Sequence, residues 1–99
     1  MVYDYYFALA TRNFLLNEEP IEEILRERTS YYKSINKDID FWLISNMELI
    51  SNYINLRHFN SYAAIISFDE KFIQWLKLRI SFVTIGHFKC NDLINCNIQ

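Results

Sequence analysis

Residues 2 to 9, VYDYYFAL, alternate along the chain: Tyr3, Tyr5, Phe7 and Leu9 fall on one side, Val2, Asp4, Tyr6 and Ala8 on the other. A two-residue period rich in β-forming side chains predicts a first strand. The period then lengthens. Ile21, Ile24, Leu25, Tyr32 and Ile35 form one stripe at helical spacing, which predicts a helix over about residues 19–35. Pro20 suits its first turn, where a fixed φ and a missing N–H cost nothing. Glu18, Glu19, Glu22 and Glu23 crowd the start while Arg26, Arg28 and Lys33 follow, so the charges complement the helix dipole. Phe41 to Ile44 is a short apolar run ended by Ser45 and reads as a second strand. Ser45 and Glu48 have the spacing of a capping box, predicting a second helix to about Arg57 through Leu49, Ile50, Tyr53 and Ile54. YAAIISF reads as a third strand, and Ser67 with Glu70 repeats the capping spacing ahead of a third helix.

That third helix carries two apolar stripes. Phe72, Ile73, Leu76, Ile80 and Val83 share one arc, while Trp75, Leu78, Phe82 and Ile85 recur at i, i+3, i+7, i+10 on the other side, with Arg79 at the boundary. Gly86, the only glycine in the chain, stands where a left-handed residue would end the helix near Ile85. A short edge strand at HFK and a frayed polar tail follow, giving a single domain over residues 1–90 and a flexible segment over 91–99. The order βαβαβα(β) implies an α/β domain, a three- or four-stranded sheet with helices packed on it, and leaves the strand directions open.

At 99 residues with 52% hydrophobic and 17% aromatic side chains, the chain can bury a core without metals or disulfides. A formal charge of −2 and no Lys/Arg-rich run argue against a nucleic-acid partner. No stretch of 18 uninterrupted apolar residues is present, so no transmembrane span is expected, and MVYDYYFALA lacks the basic leader of a secretory or transit signal. Cys90 and Cys96, both in the last ten residues, point to a reducing compartment. One Gly and one Pro, with abundant Ile, Asn, Tyr and Phe, resemble the usage of an AT-rich organellar genome.

Candidate chemistry is sparse. His87, Cys90 and Cys96 fit no compact zinc spacing, and a fourth ligand such as His58 would have to come from a distant helix end, so no metal or cofactor is expected. The clustered glutamates have a sufficient role at a helix start, there is no nucleophile elbow, and one glycine cannot cradle phosphate. No catalytic residue is nominated. The tyrosines of YDYY could line a ligand pocket, although alternating aromatics are more often core. The second stripe is either covered by another part of the same chain or is a docking face. Trp and Arg dominate interface hot spots, and Trp75 and Arg79 at i, i+4 can stack, with Leu78 beside them. Asp40, in DIDFW, could hold a partner's cation or make an internal salt bridge to Arg79.

The runs YYFALATRNFLLNEEPIEEILRERTSYY, DIDFWLI and AAIISFDEKFIQWLKLRI resemble the plastid and cyanobacterial family known as hypothetical chloroplast open reading frame fifty-four. The likeness spans about residues 3 to 88 and rests on F-L-x-x-E-E-P, R-E-R, I-D-F-W-L and W-L-K-L-R together. The Cys- and Asn-rich tail departs from the Pro-bearing end of the family. The resemblance implies an antiparallel sheet flanked by helices on both faces. It implies a non-catalytic accessory subunit of the aerobic magnesium-protoporphyrin IX monomethyl ester oxidative cyclase of chlorophyll synthesis, whose oxygen chemistry belongs to a di-iron partner subunit. It also implies docking to that partner through Asp40, Phe41 and Arg79. The expected place is the plastid stroma or thylakoid surface, with the gene in the plastid. The competing reading is a small carrier or enzyme holding a porphyrin intermediate.

Overall fold

The structure, a computed structural model, describes residues 2–18, 21–50, 53–54, 61–80 and 82–90. Four strands, β1 (Tyr3–Thr11), β2 (Phe41–Ile44), β3 (Tyr62–Ser67) and β4 (Thr84–Cys90), form one sheet in the order β2-β3-β1-β4. Every neighbouring pair is antiparallel. Helix α1 (Ile21–Ser34) joins β1 to β2, and α2 (Glu70–Ile80) joins β3 to β4. Each crossover straddles one intervening strand, so the chain is a pair of split β-α-β units, the ferredoxin-like arrangement. The helices packed on one sheet agree with the pattern of elements, and the antiparallel pairing, which that pattern left open, is the one the family resemblance implies.

Alternation sorts the strands into two faces. Ala8 and Ala10 of β1 and Ala63 and Ile65 of β3 lie under the helices, joined by Ile21 and Tyr32 of α1 and by Phe72, Ile73, Leu76 and Ile80 of α2. Small side chains on the central strands let the helix axes come close. The opposite face holds Tyr5, Leu9, Ala64, Ile66, Phe88 and Cys90, with Tyr3, Phe7, Trp42 and Phe68 around them. Met47 and Ile50 cover it, from a single 3-10 turn (Met47–Leu49) and the residue after it. That turn is capped by Asn46, whose side chain accepts the Glu48 N–H at 3.2 Å, and not by the expected Ser45. The predicted continuation to Arg57 falls largely outside the described residues.

Helix α1 starts at Ile21; Glu19 and Pro20 lie outside the described residues. It stops one residue short of Ile35, which is 49% exposed instead of closing the stripe. Asn36 takes the left-handed conformation at φ 55°, Lys37 N–H donates to the Tyr32 carbonyl at 2.9 Å and Asn36 N–H to that of Lys33 at 3.3 Å. This is a Schellman termination with Asn in glycine's place.

The largest correction concerns α2. The inner arc is as predicted, with Phe72, Ile73, Leu76, Ile80 and Val83 all buried, but the helix ends at Ile80 and residues 84–90 are a seven-residue strand. Val83, Thr84 and Ile85 are consecutive β-branched residues, which favour a pleated strand over another helical turn. Gly86 therefore caps no helix. It pairs with Phe7 in mid-strand, where a Cβ would lie 2.3 Å from Phe7 Cζ, so the bare backbone makes room for that ring. At the other end the cap is Asp69, whose Oδ1 accepts from Lys71 N–H at 3.0 Å and Phe72 N–H at 3.4 Å. Ser67 Oγ instead accepts the N–H of Asp69 at 2.9 Å.

Candidate docking groove

With α2 ending at Ile80, the second stripe is not one face. At about 100° per residue, Leu78 stands nearly opposite the buried arc and is 83% exposed. Trp75, 46% exposed, and Arg79 lie on the flank turned toward α1. Phe82 and Ile85 are exposed beyond the helix end, Phe82 meeting Phe14 edge to face at 6.0 Å. The expected arrangement thus breaks into one flank, one outward residue and a separate patch.

The flank forms a groove of about 610 Å³ between the helices, walled by Ile24, Arg28 and Tyr31 of α1 and by Phe72, Trp75 and Arg79 of α2. It is held together by Arg28, which the sequence shows in the R-E-R motif and among the helix's basic residues but without a site role. The Arg28 guanidinium lies 3.8 Å from the Phe72 ring centre, 5.0 Å from Tyr32 and 5.4 Å from Phe41. It donates to Asp69 Oδ2 at 3.0 Å and to the Tyr32 hydroxyl at 2.8 Å. Asp69 consequently divides its carboxylate, one oxygen capping α2 and the other tethered to α1. Arg28 Nε is buried with no acceptor among the described residues, an unmade bond offset by the aromatic faces packed on the guanidinium.

Asp40 closes the network from the other side. The Tyr32 hydroxyl donates to Asp40 Oδ1 at 2.9 Å, and Lys37 Nζ lies 3.8 Å from Asp40 Oδ2 and 4.7 Å from the Tyr32 ring centre. The Schellman turn makes this possible by folding residues 37–40 back along the helix end. Burial first, and then the hydrogen bond to Asp40, push the Tyr32 phenol above its usual range, so it remains a donor. Lys37 is raised too, chiefly by its hydrogen bond to Tyr32.

The five residues singled out from the sequence are therefore distributed unevenly. Trp75 and Arg79 line the groove, and Trp75 stacks on Phe72 at 6.2 Å and 18°. Phe41 is buried at 4% exposure, its ring 5.7 Å from Phe72 and 5.3 Å from Tyr32. It borders a second hollow, across α1, with Leu25, Ile39 and Trp42. Asp40 reaches the groove only through Tyr32 and Arg28, and Leu78 faces outward away from it. Arg28, Tyr32 and Asp69 were missed. The i, i+4 spacing of Arg28 and Tyr32 was visible, but Asp69 is 41 residues from Arg28.

The other candidates resolve differently. Tyr5 is buried in the aromatic face, stacked on Phe88 at 5.3 Å, while Tyr6 lies on the helix side against His87 at 4.8 Å. Cys90 is a buried residue of β4, its thiol donating to the Tyr53 hydroxyl at 3.1 Å, and not part of an exposed tail. His87 faces the helix side with Tyr6 and Cys90 the opposite side, since an odd separation in a strand reverses the face. His87 instead meets Asp4, which Lys89 and His87 together hold below the usual carboxylate range by hydrogen bonding. Cys96 and His58 lie outside the described residues. Among the described residues no helix is long and apolar enough to cross a membrane.

Residues 3–90, the whole sheet and both groove helices, match the family model described as Ycf54 protein. The chain belongs to the Ycf54 family. It is 54% identical over 89 residues to "Uncharacterized protein ycf54" of the red alga Porphyra purpurea, covering 86% of this chain and 82% of that one. "Protein YCF54, chloroplastic" of Arabidopsis thaliana is 30% identical over 92 residues, 90% of this chain and 44% of that longer one. The solved structure of the Ycf54 protein from Synechocystis sp. PCC6803 superposes with a TM-score of 0.81 at 36% identity, covering 95% of this chain and 92% of that one. The Ycf54 fold thus includes both helices that wall the groove.

Proposed function

We propose that this Ycf54 protein is a non-catalytic accessory subunit of the aerobic magnesium-protoporphyrin IX monomethyl ester oxidative cyclase. In this reading it docks on the di-iron catalytic subunit, at the plastid stroma or thylakoid surface, from a plastid gene. The observation that supports docking most is that Trp75 and Arg79 line one groove wall with Phe72, facing Ile24 on the other. A half-exposed indole next to a guanidinium is the side-chain combination most enriched where binding energy concentrates. Two of the groove's charged groups, Arg28 and Asp69, are engaged with each other across the two helices, and Arg28 also binds the Tyr32 hydroxyl, which suits recognition rather than bond-making.

The test is recovery of the di-iron subunit on the tagged protein. Arg79→Ala is expected to lower that recovery by about tenfold, the scale of a hot-spot truncation, with the fold intact by circular dichroism. Unchanged recovery would remove Arg79 from the interface. The groove's volume also falls within the range of small-molecule sites, and Tyr31 stands on its wall. The carrier reading is therefore tested by titrating the isolated chain with a magnesium porphyrin: tight binding that Arg79→Ala leaves undiminished would favour it over docking.

A further inference from the structure

We propose that Arg28 is a positioning residue for the groove and that Asp40 and Phe41 influence docking through it, without themselves touching the partner. The inference rests on the docking reading for its consequence, though not for its geometry. Phe41 is buried and its ring faces Arg28, Tyr32 and Phe72, so a partner cannot use it as an exposed contact. Asp40 binds the Tyr32 hydroxyl and Lys37. From Tyr32 the path continues through Arg28 to Asp69 Oδ2, and the other oxygen of Asp69 caps the first turn of α2. The relay therefore ends on the N-terminus of the helix that presents Trp75 and Arg79. Arg28 also lies on the face of Phe72, the ring against which Trp75 stacks. One guanidinium thus sets the distance between the helices and the pose of the indole. Both bonds leave the one nitrogen Nη2, and lysine cannot substitute, because an ammonium on a flexible stem lacks the planar guanidinium that stacks on Phe72 while making them.

Two readouts separate this role from simple stabilisation. The first needs no partner: in a Trp42→Phe background, iodide quenching of fluorescence reports on Trp75 alone. Arg28→Met, Arg28→Lys, Tyr32→Phe and Asp40→Asn are each expected to raise the quenching constant, Arg28→Met by about twofold. Arg28→Lys, which keeps the charge facing Asp69, should restore most of the melting temperature but not the shielding of Trp75. The second is a double-mutant cycle on affinity for the di-iron subunit. Arg28→Met is expected to weaken binding about tenfold, and Asp40→Asn to weaken it in the wild type but add nothing once Arg28 is gone. Quenching unchanged by Arg28→Met overturns the positioning role, and an undiminished Asp40→Asn effect in the Arg28→Met background shows that Asp40 meets the partner directly. Should the subunit not bind at all, the docking reading fails while quenching still decides what Arg28 does.

Discussion

The two faces of the sheet bury their side chains by opposite means. Under the helices the central strands contribute Ala8, Ala10, Ala63 and Ile65, and the space they leave is filled by α1 and α2 with a charged group, Arg28, set among three aromatic rings. On the other side Tyr5, Phe7, Phe68 and Phe88 fill the space themselves, ring on ring at 5.0 to 6.2 Å. The aromatic face owes its cohesion to non-directional burial, which tolerates small shifts. The helix face is oriented by hydrogen bonds that run from residue to residue, so its geometry can fail while its stability largely survives. On the docking proposal, a surface that presents Trp75 and Arg79 in a defined pose belongs on the second kind of face.

The strongest way to break this contrast is Tyr5→Ala. The ring is 1% exposed and stacked on Phe88, and removing such a side chain costs about 3–5 kcal/mol. Urea unfolding should show that loss, and the folded fraction should recover the di-iron subunit as before. A matched Arg28→Met should do the reverse, with small loss of stability and large loss of recovery. If Tyr5→Ala disturbed recovery in proportion to Arg28→Met at equal folded concentration, the two faces would not be independent.

A smaller effect of the same kind is expected at Gly86, where any side chain must displace the Phe7 ring from 2.3 Å. Phe7 is only partly buried and can swing outward, so Gly86→Val should cost about 1–3 kcal/mol, the usual scale of overpacking. The measured chemical denaturation midpoint should fall without a change in the slope. A neutral result would mean that the ring does not need the bare backbone.

Gly86 also shows where reading the sequence succeeded and failed. The first three strands, α1 and the buried arc of α2 were legible because each is written in local periodicity, two for a strand and about 3.6 for a helix. The end of α2 was not. A lone glycine after an apolar run has the same appearance whether it caps a helix or makes room for a ring from another strand, and Phe7 is 79 residues away. The site followed the same division. Trp75, Leu78 and Arg79 are exposed as their helical phase predicts, but the role of Arg28 depends on Asp69 and Asp40, which only the folded sheet brings to it. The sequence shows the Asp40 carboxylate but neither the Tyr32 hydroxyl bonded to it nor the Lys37 ammonium beside it.

The finest test of the comparison uses pH. Tyr32 has its phenol raised above the usual value of 10.0 by burial and by the bond to Asp40, with Arg28 and Lys37 opposing. A raised pKa means that the folded state holds the proton more tightly than the unfolded chain. The stabilisation is fully present below the unfolded value and is lost as pH climbs from there through the folded value. The wild type should therefore lose melting temperature above about pH 10, and Tyr32→Phe, which has no proton to give up, should flatten that part of the curve. The aromatic face offers the control: Tyr5→Phe removes a hydroxyl from a buried ring without touching the relay, so it should leave the Tyr32-dependent slope in place. In the Trp42→Phe background the same alkaline range should expose Trp75 to iodide before the protein unfolds, since ionising Tyr32 removes the proton that bonds Asp40. Quenching that rises only together with global unfolding would mean that the relay and the fold are a single unit, and the contrast between the two faces would be lost.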